Sequence, residues 1–290
     1  MPTFEIFGYG FIQRALIAGT LIGLLCALLG LFLVLRRFSL IGDGLAHFTF
    51  GSVALVLLCG VSAHWVTYAA IPLVLVGALG ILKLTSSARI HGDTAIGIVS
   101  ALGIALGVIL SSLSGGYNVD LFSYLFGNIL IITRNDVLLT AALAIVVIAV
   151  VALRGRAFFA VAFDEDLART SGINTGRANI ILVLLTALTV VLAMKLVGIM
   201  LVSALLILPP VAALQLGRGF LPTLLLAAGF GILSVLSGIL ASFALNLPTG
   251  GTIIVASFLL FVVAALVGRW RRGRISSPPI LGGAGGGKVS

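Results

Sequence analysis

Long apolar runs, each about the length of a bilayer crossing, alternate with short polar breaks along the whole chain. A helix needs ~20 mostly apolar residues to cross ~30 Å of hydrocarbon. Nine stretches meet that pattern: 11–35, 40–60, 64–84, 94–113, 137–153, 178–196, 197–216, 220–243 and 251–268. The sixth and seventh meet almost without a polar loop, and only Lys195 and Gly198 suggest where the chain turns. The stretch 119–133 is apolar but short, which predicts a re-entrant or interfacial helix. From Arg271 to Ser290 the chain turns Ser/Pro/Gly-rich, cannot bury a core and is expected to be disordered. This divides it into a membrane domain over 1–270 and a tail over 271–290. Within the tail, Gly282 to Val289 approaches a phosphate-binding loop. Val289 stands where Ser or Thr must bind magnesium, and no strand precedes it, so no ATP site is expected in this chain.

Composition narrows the class. The chain is 61% hydrophobic and 9% charged, whereas soluble domains carry about 25% charged residues. The expected fold is an all-α polytopic membrane protein of about nine transmembrane helices plus a short re-entrant helix. The 36 glycines agree, since small residues let membrane helices approach closely. A net charge of +9 would suit nucleic acid, but the basic residues sit at the ends of apolar spans and not on one soluble face. If the first span starts outside, all 17 Lys and Arg except Arg14, Arg134 and Lys195 fall in cytoplasmic segments. That predicts an outside N-terminus and a cytoplasmic C-terminus, and it requires 119–133 not to cross. The first ten residues hold Glu5 and no Lys or Arg, unlike a cleavable signal. Cys26 and Cys59 lie in apolar stretches and read as small buried hydrophobes.

Two ionisable residues stand out against this background. Asp43 and His47 lie four apart in the run Ser39-Leu40-Ile41-Gly42-Asp43-Gly44-Leu45-Ala46-His47, on one helical face. Ionisable side chains inside a bilayer are costly and by default mark a pathway or binding site. An oxygen and a nitrogen donor together suit a divalent transition metal. The spacing equally fits Asp43 as the helix cap, with Gly44 the first helical residue and His47 its ion-pair partner. For a span starting near Leu40, Asp43 lies ~5 Å and His47 ~10 Å along the axis, bringing His47 toward mid-bilayer. His64 and His91 fall near span ends, where a solvated imidazole is the default.

A second signal lies in the polar segment Arg154–Arg177. Asp164, Glu165 and Asp166 would occupy a first helical turn, Arg169 the last, and Gly172 the stop. Phe163 and Leu167, four apart, make an apolar ridge between charges. A short exposed helix of this kind suits docking into a partner's groove. An interfacial helix on lipid is the alternative, but that helix should be basic.

These residues carry a resemblance. The run from Leu35-Arg36-Arg37 to His47, then Asp93-Thr94-Ala95-Ile96-Gly97, Leu121-Phe122-Ser123-Tyr124-Leu125-Phe126-Gly127-Asn128, Phe163 to Gly172, Leu205-Leu206-Ile207-Leu208-Pro209-Pro210 and Leu247-Pro248-Thr249-Gly250 occur in this order. The chain so resembles the integral membrane permeases of ABC transporters that import manganese, zinc or iron. The resemblance implies a large-importer-type fold and a homodimer around a central pathway in the bacterial plasma membrane. It further implies cytoplasmic ATPase subunits that bind ATP and an extracytoplasmic metal-binding protein. It makes Phe163, Asp164, Glu165, Leu167, Arg169 and Gly172 a coupling helix for the ATPase, and Asp43 and His47 metal ligands. Asp93 matches a family motif too, although a helix-cap role fits it better than metal contact. Tyr124 and Asn128, four apart, are placed to line a gate or simply to pack. The expected cargo is zinc, set slightly ahead of manganese, with iron third.

Other functions are set against this. A secondary cation transporter driven by an ion gradient usually shows inverted repeats and several intramembrane acids; Asp43 is the one acid placed well inside a span, and no repeat is visible. An intramembrane metalloprotease lacks its His-Glu-x-x-His cluster here. A transport subunit, not an enzyme, remains.

Overall fold

The computed structural model describes residues 10–87, 92–113, 125–128, 131–199 and 202–275. The regular elements are helices: α1 Gly10–Leu35, α2 Ile41–Leu58, α3 Ala63–Ser87, α4 Gly92–Leu113, α5 Arg134–Phe163, α6 Glu165–Thr170, α7 Thr175–Ala193, α8 Val202–Leu216, α9 Phe220–Leu245 and α10 Thr249–Ile275. Eight of these are long and apolar enough to cross a membrane. The expected seventh span, 197–216, is shorter than its apolar run: α8 has 15 residues. The chain spends Met194–Val197 in a turn, and Gly198 adopts φ +90°, so those residues cannot join a helix. The last helix continues past Arg271 to Ile275; the rest of the tail, with its Gly282–Val289 loop, lies outside the described residues.

Burial explains the arrangement. α1 is apolar from Leu21 to Leu35 and buried without a break from Leu25 to Leu33. A helix of that kind belongs in the centre, and α1 is wrapped by α5, α7, α8 and α9. The outer helices keep large apolar side chains exposed, among them Leu102 and Leu113 of α4, Ile145 and Leu153 of α5, and Val255 and Leu266 of α10. Such a perimeter suits hydrocarbon and not water. Pro209 and Pro210 sit inside α8 without ending it. Pro210 leaves the Leu206 carbonyl without an N–H donor, and Gly30 of α1 lies so near that a Cβ there would stand 2.0 Å from that oxygen.

Neighbouring residues set the helix directions. Gly44 packs on Ile96, and Phe50 on Gly107, so α2 and α4 run parallel. Phe158, near the end of α5, meets Phe32, near the end of α1, with ring centroids 5.5 Å apart. Phe38, just after α1, packs on Gly92 at the start of α4. α4 therefore runs away from the end of the bundle that α5 runs toward. The connection between them begins and ends on one face, as the charge argument required. Cys26 is buried as expected, but Cys59 is exposed at the end of α2.

Candidate functional site

The pair singled out by sequence is built on a tight turn. Arg37 takes a left-handed conformation, φ 59°. The Phe38 N–H donates to the Leu33 carbonyl at 2.9 Å, and Arg37 N–H to Val34 at 3.1 Å, which is the paired closure of a Schellman motif. The chain re-enters a helix at once, with Leu40 as the N-cap and no side-chain cap bond. Asp43 therefore lies inside the first turn of α2 and does not cap it, so the cap alternative is set aside. Its carboxylate faces sideways. Asp43 Oδ2 lies 3.5 Å from His47 Nε2, and Oδ1 accepts a hydrogen bond from the Ser203 hydroxyl at 3.3 Å. The Asp43 side chain is 44% exposed and that of His47 18%, so the acid is reachable and the imidazole sits behind it. His47 lies ~9 Å from the start of α2 at ~1.5 Å per residue, on the Arg36 side of the helix midpoint. Among the described residues no third His, Cys, Asp or Glu joins the pair.

Ser203 is not legible in the sequence, because it stands 160 positions away and contact across helices leaves no local pattern. It reaches Asp43 because Gly42 lets α8 close in: a Cβ on Gly42 would lie 2.6 Å from Leu206 Cδ1. α4 seats the other side. A Cβ on Gly103 would stand 2.5 Å from Phe48 Cα and 2.6 Å from the His47 carbonyl oxygen, and one on Gly51 would stand 2.7 Å from the Gly103 carbonyl. Gly103→Val must push α4 off the helix that carries His47. A stability loss of about 1–3 kcal/mol is expected. Gly97→Val on the same helix, where nothing lies within 4 Å, should be neutral; thermal unfolding of the two variants in detergent compares them.

The remaining predicted residues are dispersed. Asp93 is exposed in the first turn of α4, at the same end of the bundle as Asp43, and His91 lies outside the described residues. Tyr124 also lies outside them. Asn128 sits at the opposite end from Asp43, where its N–H donates to the Lys195 carbonyl at 2.8 Å. There the segments 125–128 and 194–199 cross back to back. Gly127 and Gly198 have φ of +78° and +90°, and a Cβ on either would lie 2.4 Å from a carbonyl oxygen of the other segment. Beneath this crossing Lys195 Nζ binds both Asp136 oxygens, at 2.9 and 3.1 Å, with both side chains nearly fully buried. Asp136 also closes a capping box with Thr133 at the start of α5. Asp136 is thus a second acid well inside the fold, which corrects the expectation that Asp43 stands alone.

The docking-helix signal maps onto α6. Asp164 is its N-cap, accepting from the N–H groups of Asp166 and Leu167 at 3.0 and 2.9 Å. Arg169 lies in the last turn, and Gly172, φ +82°, closes the end. Phe163 is 82% and Leu167 62% exposed, an apolar ridge left open among the described residues. Rings extend inward from it: Phe163 to Phe159, Phe159 to Phe220 at 4.6 Å, and Phe220 to Phe32. Glu165 turns the other way and meets Arg36 at 3.0 Å. Burial lowers the pKa of the Arg36 guanidinium and Glu165 opposes that shift.

The chain is similar to known proteins over most of its length. Residues 8–268 match the ABC 3 transport family. The chain is a member of that family. A probable metal transport system membrane protein of Treponema pallidum is 37% identical over 266 residues, covering 91% of this chain and 98% of that one. The manganese transport system membrane protein MntC of Listeria innocua is 35% identical over 258 residues, covering 89% and 91%. Among solved structures, PsaBC from Streptococcus pneumoniae in complex with Fab superposes with a TM-score of 0.81 at 28% identity, over 93% of this chain and 98% of that chain. As a member of the ABC 3 transport family, the chain is an integral membrane component of a transport system, as the motif order implied.

Proposed function

We propose that this chain is the membrane permease of an ATP-driven importer of a divalent transition metal, and that Asp43 and His47 contact the ion in transit. The observation that carries the proposal is the acid–imidazole pair itself. It lies on an apolar helix, reachable at Asp43 and held by Ser203, in a chain whose relatives are named for metal and manganese transport. Carboxylate, imidazole and hydroxyl donors suit manganese, iron(II) and zinc and disfavour copper(I), which prefers sulfur. The relatives' names put manganese ahead of zinc, reversing the order taken from sequence. Two strong donors bind weakly, as a transport site requires, since the ion must leave. A second copy of the chain facing the same pathway would add two more. Asp93 is a weaker candidate at the same end, and Tyr124 and Asn128 remain gate candidates.

The exposed ridge of Phe163 and Leu167, with Asp164, Glu165, Arg169 and Gly172 shaping its helix, is the proposed docking surface for a cytoplasmic ATPase. This puts the α6 end of the bundle in the cytoplasm and the Lys195 end outside, facing an extracytoplasmic metal-binding protein. The expected location is a bacterial plasma membrane, with the N-terminus outside and the C-terminus cytoplasmic. Hydrolysis of ATP falls to the partner. The experiment is co-purification of this chain with its cytoplasmic ATPase. Phe163→Asp with Leu167→Asp places two charges in an apolar contact and is expected to release the ATPase and stop ATP-dependent manganese uptake into proteoliposomes. Full retention of the ATPase by the double variant would remove α6 from the docking surface. Uptake driven by an ion gradient without ATP would instead favour a secondary transporter.

A further inference from the structure

We propose that Arg36, Glu165 and Asn179 form a clasp that carries displacement of α6 to the α2 helix bearing Asp43 and His47; this rests on the transport reading above. The backbone of α6 lies mainly against α5 and α7. Among the described residues its hydrogen bond to the α1–α2 turn is made by Glu165. Glu165, the first residue of α6, binds Arg36 Nη2 through Oε2 at 3.0 Å and accepts from Asn179 Nδ2 through Oε1 at 3.3 Å. Arg36 Nη1 in turn donates to Asn179 Oδ1. The triangle joins α6, α7 and the end of α1. The Arg36 side chain is only 7% exposed, so water does not readily replace its partners, and the bonds are charge-assisted and directional.

From Arg36 the connection to the pair has no slack. Arg36 stacks over the Phe38 ring at 5.2 Å, and Phe38 packs on Gly92 at the start of α4. The Ile41 N–H donates to the Phe38 carbonyl, and the N–H groups of Asp43 and Gly44 both donate to Leu40, all at 3.0–3.1 Å. A shift of Arg36 is therefore delivered to the first turn of α2 and the first turn of α4 together. Rigid elements with bonded turns transmit displacement where a flexible linker would absorb it. Glu165 also meets Arg169, but at 3.9 Å and on the exposed side, where an ion pair holds little.

The clasp predicts uncoupling without undocking. Arg36→Met and Asn179→Leu leave Phe163 and Leu167 untouched. With the complete permease–ATPase complex in proteoliposomes, both variants should retain the ATPase and hydrolyse ATP. Manganese moved per ATP should fall about tenfold, the factor equivalent to 1.4 kcal/mol of lost coupling. Arg36→Lys, which keeps the charge and loses the fork, should lie between Arg36→Met and wild type. A wild-type ratio in Arg36→Met overturns the clasp, as does release of the ATPase, which would make these residues part of docking. If Arg36→Met does not assemble, Asn179→Leu decides alone: a lowered ratio supports the clasp and an unchanged ratio overturns it. Absence of ATP-driven uptake of manganese, iron(II) and zinc alike by the wild-type complex would instead sink the transport reading, and the clasp with it.

Discussion

Lys195→Met is expected to be the most destabilising single substitution in this chain away from the glycine contacts. Both side chains of the Lys195–Asp136 pair are nearly fully buried, with nitrogen–oxygen distances of 2.9 and 3.1 Å. Removing one member of a buried ion pair leaves an uncompensated charge and costs about 3–5 kcal/mol. For a chain of this size that lowers the melting temperature by roughly 10 °C. The site has no easy escape, because the Gly127–Gly198 crossing closes over it with carbonyls packed against glycine Cα positions. Asp136→Asn combined with Lys195→Met should recover most of the loss. The introduced carboxamide carries no charge to orphan and keeps an oxygen to accept from the Thr133 N–H, the bond that now closes the cap at 2.9 Å. Thermal unfolding in detergent of the two single variants and the double variant gives the coupling energy directly. Strict additivity would mean that the pair contributes nothing as a pair.

Sequence and structure part company at this same place. In the sequence Lys195 is only a mark between two apolar runs, and Asp136 only a polar residue before a span. Their pairing is a contact across 59 positions, and no period of 3.6 carries it. The same holds for Ser203 beside Asp43 and Asn179 beside Glu165. What is legible is whatever is local or repetitive. The apolar runs point to the long helices, because a bilayer-length run has few alternatives. Arg169 and Gly172 announce α6 and its stop, because helix ends are decided by residues three or four apart; Asp164, read as a first-turn residue, is instead the cap. The i, i+4 spacing carries the contact of Asp43 with His47, but not whether Asp43 is cap or ligand. That depends on the helix starting at Ile41, which the Schellman closure at Arg37 fixes. α8 is shorter than its apolar run because hydropathy does not register the turn through Met194–Val197 that ends one apolar helix before the next begins.

Asp43→Ala and His47→Ala together should abolish manganese uptake while leaving the protein as stable as wild type or more so. Each single change removes a proposed donor to the ion. Loss of outer partners alone costs ~10–100-fold in metal sites, so each single variant is expected to lose at least about a hundredfold. The stability expectation runs the other way for a physical reason. A carboxylate and an imidazole on an apolar helix are tolerated at a cost in free energy, and their mutual contact at 3.5 Å is too long to repay it. Replacing both by methyl groups removes that cost and leaves only the Ser203 hydroxyl without its acceptor. If the two residues serve merely as an ion pair within the bundle, the pattern inverts. Each single variant would then unfold earlier than wild type, the double variant would recover, and uptake would follow the fraction folded. Uptake and melting temperature measured on the same preparations separate the two cases. Retained uptake in a folded double variant removes the pair from the pathway.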